Sequence, residues 1–240
     1  MPKEMLYTVA DAEYLFALNR FNTVMREGSV NPVLMGGAGV QALVAHYVGR
    51  GGERSIEEMM ASEDLREGTN LRRTNDGDFL TVTDYDNPTL LGIVGRLAGE
   101  SIPTENGLYD ISIERRATKR PVLYVTGLNG EARVMFNLLT GPGSQKRLDP
   151  KHYEAFFEQA IEVTLVNDDG TCTLYVERPE HLIANKLARG VPKDLFDTAV
   201  LVETMDETGN DLDRKEIRRV MGTKYATEYR RFATQMGWDE

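Results

Sequence analysis

The chain has 240 residues, 41% of them hydrophobic, with 38 acidic residues against 28 basic ones and a net charge of −10. That length suffices for one large domain or two small ones, and the acidic balance excludes a globally basic nucleic-acid binder while leaving a local basic site open. One cysteine, Cys172, excludes an internal disulfide; no apolar run approaches the roughly 20 residues of a membrane span, and the expectation is a cytoplasmic protein with no signal peptide and no membrane partner.

Leu15, Leu18, Phe21 and Val24/Met25 recur at helical spacing and predict a helix over 9–27, with Asp11 to cap it and Gly28 to stop it. After Asn31-Pro32, Val33–Met35 reads as a short strand, Gly36-Gly37-Ala38-Gly39 as a turn, and Val40–Val48 as an apolar helix on which His46 is packed or exposed. Glycines at such a turn let a phosphate approach the backbone N–H groups of a helix N-terminus; they equally serve a tight strand-to-helix connection. Residues 49–71 form a surface excursion with a short helix capped by Ser55.

Arg73-Thr74-Asn75-Asp76-Gly77-Asp78 then runs into the β-prone Phe79–Thr83. Alternation along a strand puts Asp76 and Asp78 on one face. Two like charges so close raise one pKa, and a hard divalent cation relieves the repulsion. Asp-Gly-Asp is also the composition of a solvated turn.

Residues 88–98 predict a helix, and Tyr109–Arg115, Pro121–Val125 and Arg133–Leu139 predict strands, the last two joined by a turn at Gly127–Gly130. Gly141–Ser144 reads as a loop near the chain midpoint. A helix over 150–161 capped by Asp149 follows, then a hairpin of Val163–Val166 with Cys172–Val176 across 167–170. Four helices close the chain, over 180–189, 193–204, 211–221 and 224–236. The pattern is α+β: a mixed-sheet lobe over 1–178 followed by a helical lobe over 179–240.

Lys186 stands among apolar residues of its helix, as a snorkelling lysine would. Asp194 falls near a helix N-terminus, an ordinary place for an acid. The last two helices carry Arg214, Lys215, Arg218, Arg219, Lys224, Arg230 and Arg231. This local positive patch reads either as a solvated helix face or as an electrostatic surface for RNA or an acidic partner.

Taken in order, these pieces are a strand, Gly-Gly and a helix, then Arg-Thr-x-Asp-x-Asp on a strand, antiparallel strands, Leu-Ile-Ala-x-Lys-Leu and Lys-Asp-Leu-Phe-Asp. Over residues 30–205 the chain resembles the nucleotidyltransferase-fold proteins of the AbiEii type, the toxin components of bacterial type IV toxin–antitoxin systems. The resemblance implies a nucleotidyltransferase-like mixed sheet with flanking helices, Mg²⁺ or Mn²⁺ as cofactor and an NTP as substrate. It implies transfer of a nucleoside monophosphate to an RNA end, such as that of a tRNA, or to a protein hydroxyl, with a cognate antitoxin as partner. Carried over by position, Gly36 and Gly37 match the turn that holds the nucleotide phosphates, and Asp76 and Asp78 match the metal-binding carboxylates. Lys186 matches the lysine on the triphosphate, Asp194 matches the acid of the last motif with Asp197 as its substitute, and Arg73 steadies the acids or meets a phosphate. Two departures stand out: Gly-Gly replaces the Gly-Ser of many members, and Asn137 occupies the strand where many place a third acid. Asp110 and Glu114, on another strand, are the alternatives for that acid, and a catalytically degenerate nucleotide-binding or protein-interaction module is the alternative function.

Overall fold

The computed structural model describes residues 3–4, 6–74, 76–81, 92, 101–104, 107–115, 121–127, 132–140, 148 and 152–238. In chain order, β1 (Lys3–Glu4) and α1 (Ala12–Glu27) precede β2 (Val33–Met35), α2 (Gly36–Val48), α3 (Ile56–Ala61) and β3 (Asp76–Thr81). Four strands follow: β4 (Ser101–Thr104), β5 (Gly107–Arg115), β6 (Pro121–Gly127) and β7 (Ala132–Thr140). After α4 (Tyr153–Glu158) come the β8 (Ile161–Asn167) and β9 (Gly170–Val176) pair, then α5 (Pro179–Arg189), α6 (Pro192–Glu207), α7 (Arg214–Met221) and α8 (Ala226–Gln235). The architecture is α+β, with a mixed sheet and flanking helices.

The sheet has the order β4-β5-β6-β7-β3-β2-β9-β8, with the short β1 also paired to β7. β3 lies between β7, to which it is parallel, and β2, to which it is antiparallel. This register sets Asp78 beside Asn137 on one side and beside Met35 on the other. The two-residue period then divides β3 cleanly. Gly77 and Phe79 face α1, where the Phe79 ring lies 4.5 Å from Phe21 and 5.8 Å from Phe136. A Cβ on Gly77 would come within 2.8 Å of the Phe136 ring, so the aromatic layer packs directly on backbone at that point.

The opposite face, carrying Asp76 and Asp78, is covered by α2. That helix is buried along Ala38–Ala45, and its near-uniform apolarity follows from its position, with sheet on one side and α5 and α6 on the other. Gly39 permits the crossing: a Cβ there would lie 2.9 Å from Leu182 of α5 and 3.3 Å from the Leu34 carbonyl. The C-terminal helices therefore sit against the helix that leads out of the glycine turn.

Several expectations shift by a turn or less. The first helix starts at Ala12, and Asp11 accepts from the Thr8 N–H at 2.6 Å instead of capping the helix. The glycine stretch is itself the first turn of α2. Ser55 forms a full capping box with Glu58. The helix expected over 150–161 is confined to Tyr153–Glu158, because the chain passes directly into β8. The last two helices begin later than expected, at Arg214 and Ala226, while α6 runs on to Glu207. β4 had no alternation to announce it. The helix expected over 88–98, the turn after Gly127, the 141–144 loop and the Asp149 cap lie outside the described residues. Cys172 is buried, and among the described residues no helix is long and apolar enough to cross a membrane.

Candidate active site

Gly36 has φ +70°, a left-handed conformation that side-chain-bearing residues avoid. The chain turns there from β2 straight into α2, whose N-terminus receives no side-chain cap. A Cβ on Gly36 would lie 2.9 Å from Asp78 Oδ2, and one on Gly37 would lie 2.8 Å from Arg72 Nη2. Both glycines thus face charged side chains across a gap too narrow for a methyl group. The helix dipole and its free N–H groups make this turn attractive to an anion.

Asp76 and Asp78 share a face of β3, as alternation requires, and both are half-buried. Thr74 donates its hydroxyl to Asp76 Oδ1 at 3.0 Å. The Tyr14 hydroxyl donates to the Asp76 carbonyl at 3.0 Å. Asn137 reaches across from β7, its Nδ2 donating to Asp78 Oδ1 at 2.9 Å and to Asp76 Oδ2 at 3.4 Å. Asn137 therefore bridges the two carboxylates of β3. Burial and the neighbouring Asp76 charge push the Asp78 carboxyl up to about 6; the Asn137 hydrogen bond and the more distant Arg189 and Lys186 pull it the other way. Asp110 and Glu114 belong to β5, separated from β3 by β6 and β7, about 14 Å away at sheet spacing, and so do not complete the cluster.

Opposite the acids lies a group of cations. Lys186, in the last turn of α5, is only 4% exposed. Its Nζ meets Asp197 Oδ2 at 2.6 Å and Asp194 Oδ1 at 3.5 Å. Arg72 holds Asp197 through two bonds, Nε to Oδ1 at 2.7 Å and Nη2 to Oδ2 at 2.9 Å. Arg189 meets Asp194 through Nε at 2.6 Å and Nη2 at 2.9 Å. α5 ends at Gly190, φ +64°, and Pro192 starts α6, which lets Asp194 and Asp197 fold back onto Lys186. Three fixed cations against two acids leave one surplus positive charge facing the two carboxylates of β3. A divalent cation on those carboxylates would turn a net negative site into a net positive one, suited to a polyphosphate.

The residues expected from the sequence are largely brought together. Gly36, Gly37, Asp76 and Asp78 form one wall, and Lys186 and Asp194 belong to the cation group facing it. Arg73 does not join them: it is 49% exposed and paired with Glu67 at 2.6 Å. Arg72 fills that place. The signal was available, since Arg72, Thr74, Asp76 and Asp78 all share one parity. Lys186 does not snorkel, because the acids of α6 hold it inside. Asp194 is not an N-cap but a fully buried partner of Lys186 and Arg189. Asp197, treated as a substitute, makes the shorter contact to Lys186.

Arg189 and the acid of Glu177 had no signal in the sequence. Glu177 follows β9, its N–H donating to the Leu34 carbonyl at 2.9 Å. Its side chain is buried and accepts from Asn185 Nδ2 at Oε1, while Oε2 has no hydrogen-bond partner among the described residues. Burial pushes this carboxyl up to about 8, against the opposing effects of Asn185 and Lys186.

Asp76, Asp78 and the amide of Asn137 are hard donors of the kind Mg²⁺ takes. Turning the amide about its last torsion would present oxygen in place of nitrogen. Among the described residues no group of three His, Cys, Asp or Glu side chains is placed to hold a metal ion. No protein-family model matches the chain, and no curated protein matches it.

Proposed function

We propose that the chain is a metal-dependent nucleotidyltransferase that moves a nucleoside monophosphate from an NTP to an acceptor hydroxyl. One observation carries this reading: the uncapped N-terminus of α2 at Gly36-Gly37 directly abuts both Asp78 and Arg72. A phosphate-binding turn, a carboxylate pair and a tethered cation group thus share one cleft wall. The AbiEii-type resemblance supports the same reading.

In the reaction the acceptor oxygen bonds to the α-phosphorus, the bond from that phosphorus to the bridging oxygen breaks, pyrophosphate leaves, and the hydroxyl proton passes to solvent. Asp76, Asp78 and Asn137 would hold Mg²⁺ or Mn²⁺, which supplies charge to the reacting phosphate and its leaving group. The α2 N–H groups orient the phosphates. Lys186, Arg72 and Arg189 face the charge that develops on pyrophosphate, and they are preorganised by Asp194 and Asp197, so little reorganisation accompanies the step.

A second reading is favoured by Asn137 itself: with an amide in the third position, the chain binds nucleotide without turning it over. Incubation with each labelled NTP, Mg²⁺ and total RNA or lysate separates the two. Transfer of label to an acceptor with release of pyrophosphate supports the transferase; saturable NTP binding with neither product supports the non-catalytic module.

A further inference from the structure

Glu177 joins the two walls of the candidate cleft. Its backbone extends β9 along β2: Val176 is in register with Leu34, and the Glu177 N–H donates to the Leu34 carbonyl, two residues before the Gly36 turn. Its side chain reaches the other wall, where Oε1 accepts from Nδ2 of Asn185, the residue of α5 immediately before Lys186. One side chain thus ties the strand that ends in the glycine turn to the helix that carries the lysine.

The second oxygen of this carboxyl is unused. Glu177 is 1% exposed, and its Oε2 has no hydrogen-bond partner among the described residues. Few charges are available to it. Arg178, next in the chain, is turned to Glu180 and Gln159. Residues 33–45, which supply β2 and most of α2, contain no ionisable side chain. On α5, His181 is held by Glu216. Lys186 is the cation whose field reaches Glu177, and its ammonium is held elsewhere, by Asp197 at 2.6 Å and Asp194 at 3.5 Å.

We infer that Glu177 is a positioning residue for Lys186 and that its proton controls the cleft. As the neutral acid it fixes α5 through Asn185 and leaves the Lys186 ammonium to Asp197, Asp194 and the bound phosphates. As the carboxylate it offers Oε2 as a competing seat and draws the ammonium away from them. This deepens the nucleotidyltransferase reading and rests on it for the identity of the ligand. The preference between seats follows from charge. Asp197 keeps Arg72 and Asp194 keeps Arg189 when the lysine leaves, whereas an ionised Glu177 would be a buried charge without a partner, which is the costlier state. The lysine stem is flexible enough to make the move. Burial holds the Glu177 proton up to about pH 8, so the change of seat falls just above neutral pH.

The test is calorimetric binding of inorganic tripolyphosphate with Mg²⁺ to the full chain, compared between wild type and Glu177→Gln. The two should bind almost equally near pH 7, and by about pH 9 the wild type should be about tenfold the weaker, because only its protonated fraction is competent. Ionisation of the ligand is common to both proteins and drops out of the ratio. Glu177→Met can neither ionise nor accept from Asn185; it should bind more weakly than Glu177→Gln at every pH yet follow the same profile, and it keeps the comparison decisive should either variant fold poorly. A purely structural Glu177 gives parallel profiles for the wild type and the two variants. That result, or a wild type that binds no tripolyphosphate, overturns the inference. Divergent tripolyphosphate profiles without transfer from any NTP count against the transferase reading alone, and transfer with parallel profiles counts against the role of Glu177 alone.

Discussion

Glu177→Gln should make the protein more stable at neutral pH, and by an amount that grows with pH. The native carboxyl is raised from 4.5 to about 8 by burial, so between those values the folded chain retains a proton that the unfolded chain has released. The linkage then has a definite sign: this group's contribution is fully present below pH 4.5 and is lost as pH rises towards 8, by about a factor of ten in the folding equilibrium per pH unit. Between about pH 5 and about pH 7 this amounts to about 3 kcal/mol. Glutamine mimics the protonated acid in shape, and its oxygen still accepts from Asn185. Urea denaturation of both proteins should therefore give similar stabilities near pH 5, with the variant progressively ahead up to pH 8. Other titrating groups are common to both proteins and cancel in the difference. Two stability curves that run parallel across this range would show that Glu177 ionises normally, and the argument for a buried neutral acid beside Lys186 would fail.

The remaining predictions concern the cleft wall. Gly36→Ala forces a side chain into a left-handed conformation and sets a methyl group against Asp78; it should cost about 1–3 kcal/mol and weaken NTP binding, measured by thermal melting and equilibrium binding. Arg72→Ala removes a two-point grip on Asp197 while Lys186 remains, so about 2 kcal/mol of stability should be lost, less than for a fully orphaned buried charge. The same change should weaken NTP affinity markedly, whereas Arg73→Ala, which loses an exposed pair with Glu67 and a 3.5 Å contact to the Leu6 carbonyl, should leave the melting curve nearly unchanged and NTP affinity unchanged. Equal effects of the two arginine changes would contradict the alternation along this segment.

The parts of the site that were legible in the sequence are those carried by local rules. Period-two alternation identified Asp76 and Asp78 as a pair, and the Gly-Gly sequence before an apolar run marked the turn into α2. The same alternation, extended four residues backwards, selects Arg72 over Arg73; reading Arg73 as part of the motif followed the letters and not the pleat. The cation group was much less legible. Nothing local distinguishes a buried Lys186 from one that reaches solvent. Only the turn at Gly190 and the return of α6 bring Asp194 and Asp197 to it, and that is a tertiary fact. Glu177 shows the same limit: nothing in its local sequence marks it as buried, and it is buried because the chain past β9 still bonds to Leu34 of β2. Asn137 was singled out only through the resemblance, as the residue on the strand where many members place a third acid; the register that puts it beside Asp78 is a tertiary fact.

The most direct measurement is transfer of label from an α-phosphate-labelled NTP by the wild type and by Asp76→Asn in the presence of Mg²⁺. Asn at 76 keeps an oxygen for the Thr74 hydroxyl and removes one of two crowded charges, so the variant should fold at least as stably as the wild type. Labelled acceptor with wild type, its loss with EDTA, and its loss in a well-folded Asp76→Asn protein are the results predicted for a metal-dependent nucleotidyltransferase. Undiminished labelling by the variant, or labelling that survives removal of all divalent cations, would contradict the role assigned to Asp76 and Asp78.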